Sequence, residues 1–492
     1  MSQEIELKLS LAKESVDVFL SLDCLASLQA ETFYLENTYY DTQDFALSEA
    51  SAALRTRKMA DGRYVQTLKS RGTNVSGLHQ RHEWEMPIPT NQLDLSLFPE
   101  SALPSDLDTQ NLKPIFTTHF TRRCWNVQQG NSLIELVLDS GMVEAAEQQE
   151  PILELELELK SGVVTDLFCL ALQISHEVPV MPSDVSKAER GFRLSGRAFG
   201  GTPELPSIRS DLTIGTAFEQ LFNFELQKLH QQWHLFWQTQ QWRYLQAYLV
   251  SLGNLSTELD WFKQMIPTSH VQFVASQLDW IEQQIRPILS WWPACFALSQ
   301  DVERDSQDAA FILQRESAQK AMAALDALVN NPELGFRLLS LAAWLHKADW
   351  QQDQTDEHRQ LSDQSIRQGV NACFKRALLE LDTDNFAGNA SYALSQISAV
   401  HKLLILCQYF DRLYGDELSD LKEHLRALEE NLAQLSAMGA ISQLTDWVHR
   451  LPMEKQASVH SWARSQTVIL REIKQLAATL AKPQLVHYGE LA

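Results

Sequence analysis

The sequence is poor in the features that announce metal-thiolate, membrane or nucleic-acid chemistry. Its six cysteines, at 24, 124, 169, 295, 373 and 407, lie far apart and form no C-x-x-C pair. That excludes the usual zinc and iron–sulfur spacings and fits a reducing compartment. There is no apolar run of 18 residues, and the opening M-S-Q-E lacks the basic and apolar regions of a secretory leader. The expectation is therefore a cytoplasmic protein with no membrane partner. Positive charge is also scarce: 41 Lys and Arg stand against 63 Asp and Glu, for a net charge of −22. Such a surface argues against general nucleic-acid binding but leaves room for a local basic pocket. A G-x-x-x-x-G-K-[ST] phosphate loop is absent, so nucleotide recognition through that device is not indicated. With 492 residues, 45% of them hydrophobic and 21% charged, the chain reads as globular and as two or more domains.

What is present is a strict alternation of charge and oil. Residues 3–9 read Q-E-I-E-L-K-L, and residues 153–160 read L-E-L-E-L-E-L-K. On a strand the side-chain period is two, so Glu4, Glu6 and Lys8 share one face, each roughly 7 Å from the next. Glu154, Glu156, Glu158 and Lys160 do the same. Rows of like charge repel, and the sequence must say what relieves them.

Up to about residue 200 the apolar spacing is mostly two. Strands are expected at 3–9, 34–39, 52–58, 63–69, 81–87, 117–127, 132–138 and 152–160, with turns at Asp61-Gly62 and Gln129-Gly130. Helices are expected near 12–28 and 164–177. Eight strands, mostly in hairpins, predict an antiparallel barrel or strongly curled sheet. The glycine- and proline-rich stretch 197–209 reads as a domain edge. Beyond it the period becomes helical, beginning with Phe218, Leu221, Phe222, Leu226 and Leu229 and recurring at 240–265, 270–288, 307–330, 334–347, 363–381, 391–415, 419–438 and 458–478. The fold class is α+β: an eight-stranded barrel domain over 1–200, a linker at 201–215 and an all-helical bundle over 216–492.

Charges of both signs share the polar faces of these strands. Arg55 and Arg57 alternate in L-R-T-R, Arg63 and Lys69 bracket R-Y-V-Q-T-L-K, Arg81, Glu83 and Glu85 alternate in R-H-E-W-E, and Arg122 ends F-T-T-H-F-T-R. If these faces met solvent they would be ordinary edge protection. If the apolar set instead faces outward against helices, the lumen is charged and needs a charged occupant, because unpaired buried charge is expensive. Carboxylates facing arginines and lysines suit a polyanion carried with divalent cations: hard carboxylate oxygens hold Mg²⁺ or Mn²⁺, and guanidinium and ammonium groups hold phosphoryl oxygens.

These residues resemble the CYTH family, the triphosphate tunnel metalloenzymes, and in particular bacterial inorganic triphosphatases with a carboxy-terminal CHAD domain. The family's opening E-x-E-x-K is matched by Glu4, Glu6 and Lys8. Also family-like are T-Y-Y-D-T at 38–42, L-R-T-R at 54–57, V-Q-T-L-K at 65–69, V-S-G-L-H-Q-R-H-E-W-E at 75–85, L-V-L-D at 136–139, E-L-E-L-E at 154–158 and S-K-A-E-R-G at 186–191. The match runs in order through nearly all of 1–200.

The resemblance implies a metal set of Glu4, Glu6, Asp139, Glu154 and Glu156, with Glu158 either an outer member or a structural carboxylate. It implies a triphosphate-binding set of Lys8, Arg55, Arg57, Lys69, Arg81, Arg122 and Lys187. Glu83 and Glu85 fall where the family places tunnel acids, holding metal-bound water or orienting the basic residues; with Glu4, Glu6 and Lys8 they form the expected catalytic group. Arg123 points to the opposite face from Arg122, so only Arg122 is expected to reach the lumen. His79 and His82 lie in or beside an apparent loop and are not expected to be catalytic. Tyr39 and Tyr40 read as packing and rim residues, and Asp41 reads as a turn cap. The reaction implied is metal-dependent hydrolysis of inorganic triphosphate to pyrophosphate and phosphate. The alternatives are a class IV-type adenylate cyclase, a thiamine or nucleoside triphosphatase, and a non-catalytic polyphosphate-binding protein.

The helical half resembles a CHAD domain in S-A-V-H-K-L-L-I-L-C-Q-Y-F-D-R-L-Y at 398–414, where His401, Lys402 and Arg412 are retained in kind. Residues 241–248, Q-W-R-Y-L-Q-A-Y, hold one arginine where the family's basic helix is expected, and residues 201–492 carry 24 Lys and Arg against 34 Asp and Glu. Lys375, Arg376 and Lys402 read as a small basic remnant or as solvated surface. The expected role of this half is contact with polyphosphate or with a protein partner.

Overall fold

The computed structural model describes residues 2–197, apart from 71 and 76, and then 203–382, 389–441 and 444–480. Positions 198–202 of the glycine- and proline-rich domain edge, which include the first two of the expected linker, and Ser76 of the 75–85 motif therefore lie outside the described residues. The chain divides into two compact units: Met1–Thr202 with Leu328–Lys347, and Pro203–Ala327 with Ala348–Ala492.

The first unit is built on one antiparallel sheet of ten strands: β1 (Ser2–Leu11), β2 (Glu31–Asp41), β3 (Ala53–Lys58), β4 (Tyr64–Lys69), β5 (Thr73–Val75), β6 (Leu78–Ile88), β7 (Lys113–Gln129), β8 (Ser132–Ala145), β9 (Gln148–Ser161) and β10 (Val180–Pro182). Eight of them close in a ring, β1-β9-β8-β7-β2-β3-β4-β6, because β6 pairs with β4 along one half and with β1 along the other. Lys69 and Glu4 are thus brought to opposite flanks of one strand: Lys69 stands across from Glu83, and Glu4 across from Arg81. Tight turns follow the expected glycines, with Gly62 at φ 85° and Gly130 at φ 55°.

The ring is inverted relative to an ordinary barrel. Leu7 and Leu9 of β1, Leu136 and Leu138 of β8, and Leu155 and Leu157 of β9 point outward into one core with Leu167, Phe168, Leu170 and Ile174 of the helix Val164–Glu177. Leu339, Ala342 and Ala343 of the helix Pro332–Lys347 complete that core. Gly335 lets the latter helix approach β10 closely, since a Cβ there would lie 1.7 Å from the Val180 carbonyl oxygen. A second outer core gathers Leu54, Leu68 and Trp84 of β3, β4 and β6 with Leu47, Phe98 and Ala102. With its oil outside and covered, the ring keeps its charge inside.

One end of the interior is apolar: Leu35, Tyr39, Phe116, Phe120, Val143 and Ile152 pack with Phe192 of the helix Lys187–Leu194. Ser186 caps this helix by accepting from the Glu189 N–H at 3.1 Å. Two sequence expectations change in this unit. The region 12–28 is not one helix but three short pieces, Lys13–Ser15, Val16–Leu20 and Asp23–Ala26, broken where Leu22 turns extended (ψ 138°). The break lets Phe19, Leu22 and Leu25 all reach the outer core. His79 and His82 lie within β6 rather than in a loop, because pairing with β1 draws residues 78–83 into the ladder.

The second unit is all helical. Its longest helices are Ile214–Thr239, Trp242–Phe262, Thr268–Ile288, Arg304–Val329 and Ser419–Ile441. The long stripe at 391–415 is interrupted into Ala390–Ser395, Ile397–Tyr409 and Asp411–Tyr414, and the stripe at 458–478 falls on Met453–Arg464 and Gln466–Thr479. Among the described residues no helix is long and apolar enough to cross a membrane.

Candidate active site

The inward faces of the ring line a cavity of about 480 Å³. Seven carboxylates (Glu4, Glu6, Glu83, Glu85, Glu135, Glu156, Glu158) and eight cations (Lys8, Arg55, Arg57, Lys69, Arg81, Arg122, Lys160, Lys187) line it. The near balance matters: a polyanion entering this space adds charge that must be met by cations carried in with it.

Strand register sorts these groups into rows across the sheet. Glu6 stands opposite Glu158 and Glu158 opposite Glu135, an all-acid row over β1, β9 and β8. Next to it Lys8 stands opposite Glu156. In the next row Glu154 faces Asp139, which faces Arg122 on β7. Two like charges about 5 Å apart cost roughly 3 kcal/mol at an effective dielectric near 20, so each acid row needs a counter-charge.

The deepest acids have one. Asp139, Glu154 and Glu156 place one carboxylate oxygen each within 4.8 Å of one another. Arg122 grips Asp139 with two parallel bonds of 2.8 and 2.7 Å and reaches Glu156 at 2.6 Å. Lys187 enters from its helix and sits 2.6 Å from Asp139, 2.6 Å from Glu154 and 2.9 Å from Glu156. Lys8 adds bonds of 2.8 Å to Glu156 and 3.3 Å to Glu154, and Arg190 one of 2.8 Å to Glu154. Although burial alone would raise both, Lys187 and Lys8 beside Glu154 and Glu156 hold these carboxyls below their usual range. The same contacts raise Lys8 and Lys187 against the effect of burial.

Toward β6 the compensation is thinner. Glu4 accepts both bonds of Lys69, at 2.6 and 2.7 Å, and Arg81 donates to Glu6 at 2.9 Å. Burial, with Glu6 and Glu83 nearby, still pushes Glu4 up to about 7. Glu6 is held low by Lys8, Lys69 and Arg81 against the burial that would raise it. Glu158 is raised by burial, with Glu135 beside it, although Lys160 lies 2.9 Å away. Glu83 sits 3.5 Å from Lys69 and 3.9 Å from Arg55. Glu85 faces the cavity near the Thr67 hydroxyl at 3.5 Å.

Arg57 differs from its neighbours. No carboxylate lies within ion-pair distance of it among the described residues; its Nε donates to Asn37 at 2.8 Å. Burial, Arg55 and Arg122 lower its affinity for its proton, the signature of a cation short of counter-charge.

All fifteen residues singled out from the sequence belong to this one interior: most line the cavity, and Asp139 and Glu154 stand directly behind it. Arg123 points outward over the Trp125 ring at 5.2 Å. Tyr39 stacks on Phe116 at 4.5 Å and accepts from Arg55 at 3.4 Å. Asp41 accepts from the backbone N–H groups of Thr42, Leu47 and Ser48, as a cap. His79 is buried, 3.3 Å from the Ser183 carbonyl oxygen, and burial with Arg81 lowers it to about 4. Sequence reasoning missed Glu135, Arg190 and Asn37. Glu135 was open to discovery, since it lies an even number of residues from Asp139 on the same strand; Arg190 and Asn37 carry no such signal.

The hard-oxygen donor set fits a divalent cation, and the observation that tests the fit is charge. Glu4 and Glu158 are held above their usual range by burial and neighbouring acids that their cation neighbours do not fully offset, while Glu6 beside them is met by Lys8, Lys69 and Arg81. The trio of Asp139, Glu154 and Glu156 is already covered by lysines and arginines.

In the helical unit the expected basic remnant is spent internally. Lys402 lies 3.2 Å from Glu380 and 3.7 Å from Asp260, His401 bridges Asn254 and Glu429, and Arg376 donates to the Trp261 carbonyl at 3.3 Å. Arg412 donates to Ser207, and Lys375 is exposed.

Comparison with known proteins finds relatives of both halves of the chain. Residues 2–192 match the CYTH domain. An inorganic triphosphatase from Haemophilus influenzae is 39% identical over 205 residues, 40% of this chain and 57% of that protein. The chain therefore spans little more than half the length of that relative. Among solved structures, a Hippeastrum protein described as an adenylyl cyclase with a dominant triphosphatase activity aligns over 37% of this chain and 92% of its own, at 22% identity and a TM-score of 0.31. A CHAD domain from Ricinus communis aligns over 58% of this chain and 98% of its own, at 17% identity and a TM-score of 0.44.

Proposed function

We propose that the lumen of the first unit hydrolyses inorganic triphosphate to pyrophosphate and orthophosphate with the help of Mg²⁺ or Mn²⁺. The observation that carries this reading is the inverted ring, whose inner face holds under-compensated carboxylates at Glu4 and Glu158 in one cavity with an under-compensated guanidinium at Arg57. A site for a polyanion alone would shed its acids; one for a cation alone would shed its arginines.

In this reading Arg55 and Arg57 bind phosphoryl oxygens at one side of the cavity. Lys69, Arg81 and Arg122 extend the basic track, and Lys8 and Lys187 exchange part of their carboxylate contact for substrate. Glu83 and Glu85 orient the cations beside them. Glu4, Glu6 and Glu158 would hold the metal, with Asp139, Glu154 and Glu156 as deeper donors when Lys187 or Arg122 turns to phosphate. A bound divalent ion supplies Lewis-acid charge and a more acidic water. Leu35 and Phe120 give the cavity an apolar stretch of wall that would exclude water, and each ionic contact to the transferring group is stronger there than in water. The helical unit, CHAD-like in this reading, contacts polyphosphate or a protein partner.

The test is incubation with inorganic triphosphate, ATP and thiamine triphosphate separately, each with Mg²⁺, Mn²⁺ or chelator, resolving phosphate, pyrophosphate and cyclic AMP. Metal-dependent cleavage with inorganic triphosphate the fastest substrate is the expected result. Cyclic AMP from ATP, or a preference for a nucleotide or thiamine ester, would overturn the substrate.

A further inference from the structure

Among the described residues Arg57 is the lumen cation with no carboxylate within ion-pair distance, and its orientation is set by a polar row that runs across three strands. Asn37 on β2 stands directly opposite Arg57 on β3 and directly opposite Thr118 on β7. The Asn37 side chain is 2% exposed. Its Oδ1 accepts from Arg57 Nε at 2.8 Å, and its Nδ2 donates to the Thr118 hydroxyl at 2.9 Å. The amide can adopt no other sense, since a flip would set an NH₂ against the Nε–H of arginine, donor against donor. Thr118 is itself 1% exposed.

With Nε engaged, the guanidinium plane is fixed while its two Nη groups donate to no protein atom among the described residues. Arg57 lines the cavity. A carboxylate in place of Asn37 would fix the plane equally well but would cancel the charge. A neutral acceptor fixes the plane and leaves the charge unspent. We infer that Asn37, braced by Thr118, is a positioning residue that presents Arg57 to a phosphoryl group of a linear polyphosphate. This rests on the reading that the lumen takes a polyanion, but not on its being an enzyme.

The experiment is calorimetric titration of the full chain with inorganic triphosphate in chelator, so that binding is read without turnover. Asn37→Ala should weaken binding about tenfold, the worth of a hydrogen bond to a charged group. A double-mutant cycle then separates positioning from packing. In an Arg57→Ala background, adding Asn37→Ala should change affinity less than twofold, because Asn37 acts only through that arginine. Thr118→Val should reproduce part of the Asn37→Ala loss, and Thr118→Ser should recover it; these variants also serve if Asn37→Ala fails to fold. Full multiplication of the two single effects, or wild-type affinity in Asn37→Ala, would overturn the inference. Binding by the wild type with no cleavage when metal is added would sink the triphosphatase and leave this role standing; no binding at all would sink both.

Discussion

Both units bury carboxylates completely, and they do opposite things with them. In the ring, Asp139 and Glu154 are 0% exposed, yet each meets at least two cationic side chains, and Glu154 is held ionised by Lys187 and Lys8. In the helical unit, Glu225 and Glu258 are also 0% exposed. Glu225 finds Lys228 at 2.7 Å and the Tyr409 hydroxyl, but neither oxygen of Glu258 has a hydrogen-bond partner among the described residues. Burial and the charge of Glu225 push Glu258 far up, so it sits in the helix core as a neutral acid. Burial therefore does not decide ionisation; the partners do. Only the first arrangement can trade a lysine for a metal ion or an acid for a phosphate.

That contrast can be broken by mutation. The largest effect is expected for Glu156→Ala, which strips a shared acid from Lys8, Lys187 and Arg122 and leaves buried cations under-paired. The first unit should lose about 3–5 kcal/mol, read as hydrogen-exchange protection in β8 and β9. A loss no greater than that of a surface substitution would mean the network is ornamental.

The pH dependence sharpens the contrast because the signs differ. Glu83, Glu154 and Glu156 have folded values below their unfolded ones. Their stabilisation is complete above about pH 4.5 and drains away as pH falls toward the folded values. Glu258 is raised, so its contribution is complete below about 4.5 and is lost as pH rises. Thermal melts from pH 3 to 9 should show Glu156→Gln blunting the acid limb. Glu258→Gln should leave the acid limb alone and raise stability near pH 8. The latter gain is the smallest effect, within about 1–2 kcal/mol, since an amide replaces a group that is already neutral. Equal pH profiles for the two variants would erase the distinction.

The ring and its charged lumen were legible because a strand has one simple period. Once Glu4, Glu6, Lys8 and the 153–160 run are laid on it, their shared face follows. Legibility failed where structure depends on which distant surface an element meets. The helical period at 334–347 announces an apolar stripe but not that Leu339, Ala342 and Ala343 join the core of the first unit. The segments 73–75 and 180–182 are too short to show a period. Asn37 escaped because a neutral amide on a strand resembles any polar residue until Arg57 and Thr118 stand on either side of it.

The central claim is that the surplus acid of the first strand holds the metal for triphosphate cleavage. Its most direct test is a phosphorus NMR time course of inorganic triphosphate with Mg²⁺ or Mn²⁺, comparing the wild type with Glu4→Gln plus Glu6→Gln. The account predicts equimolar pyrophosphate and orthophosphate from the wild type and a loss of at least about a hundredfold in the variant. Undiminished cleavage by the double variant would contradict it.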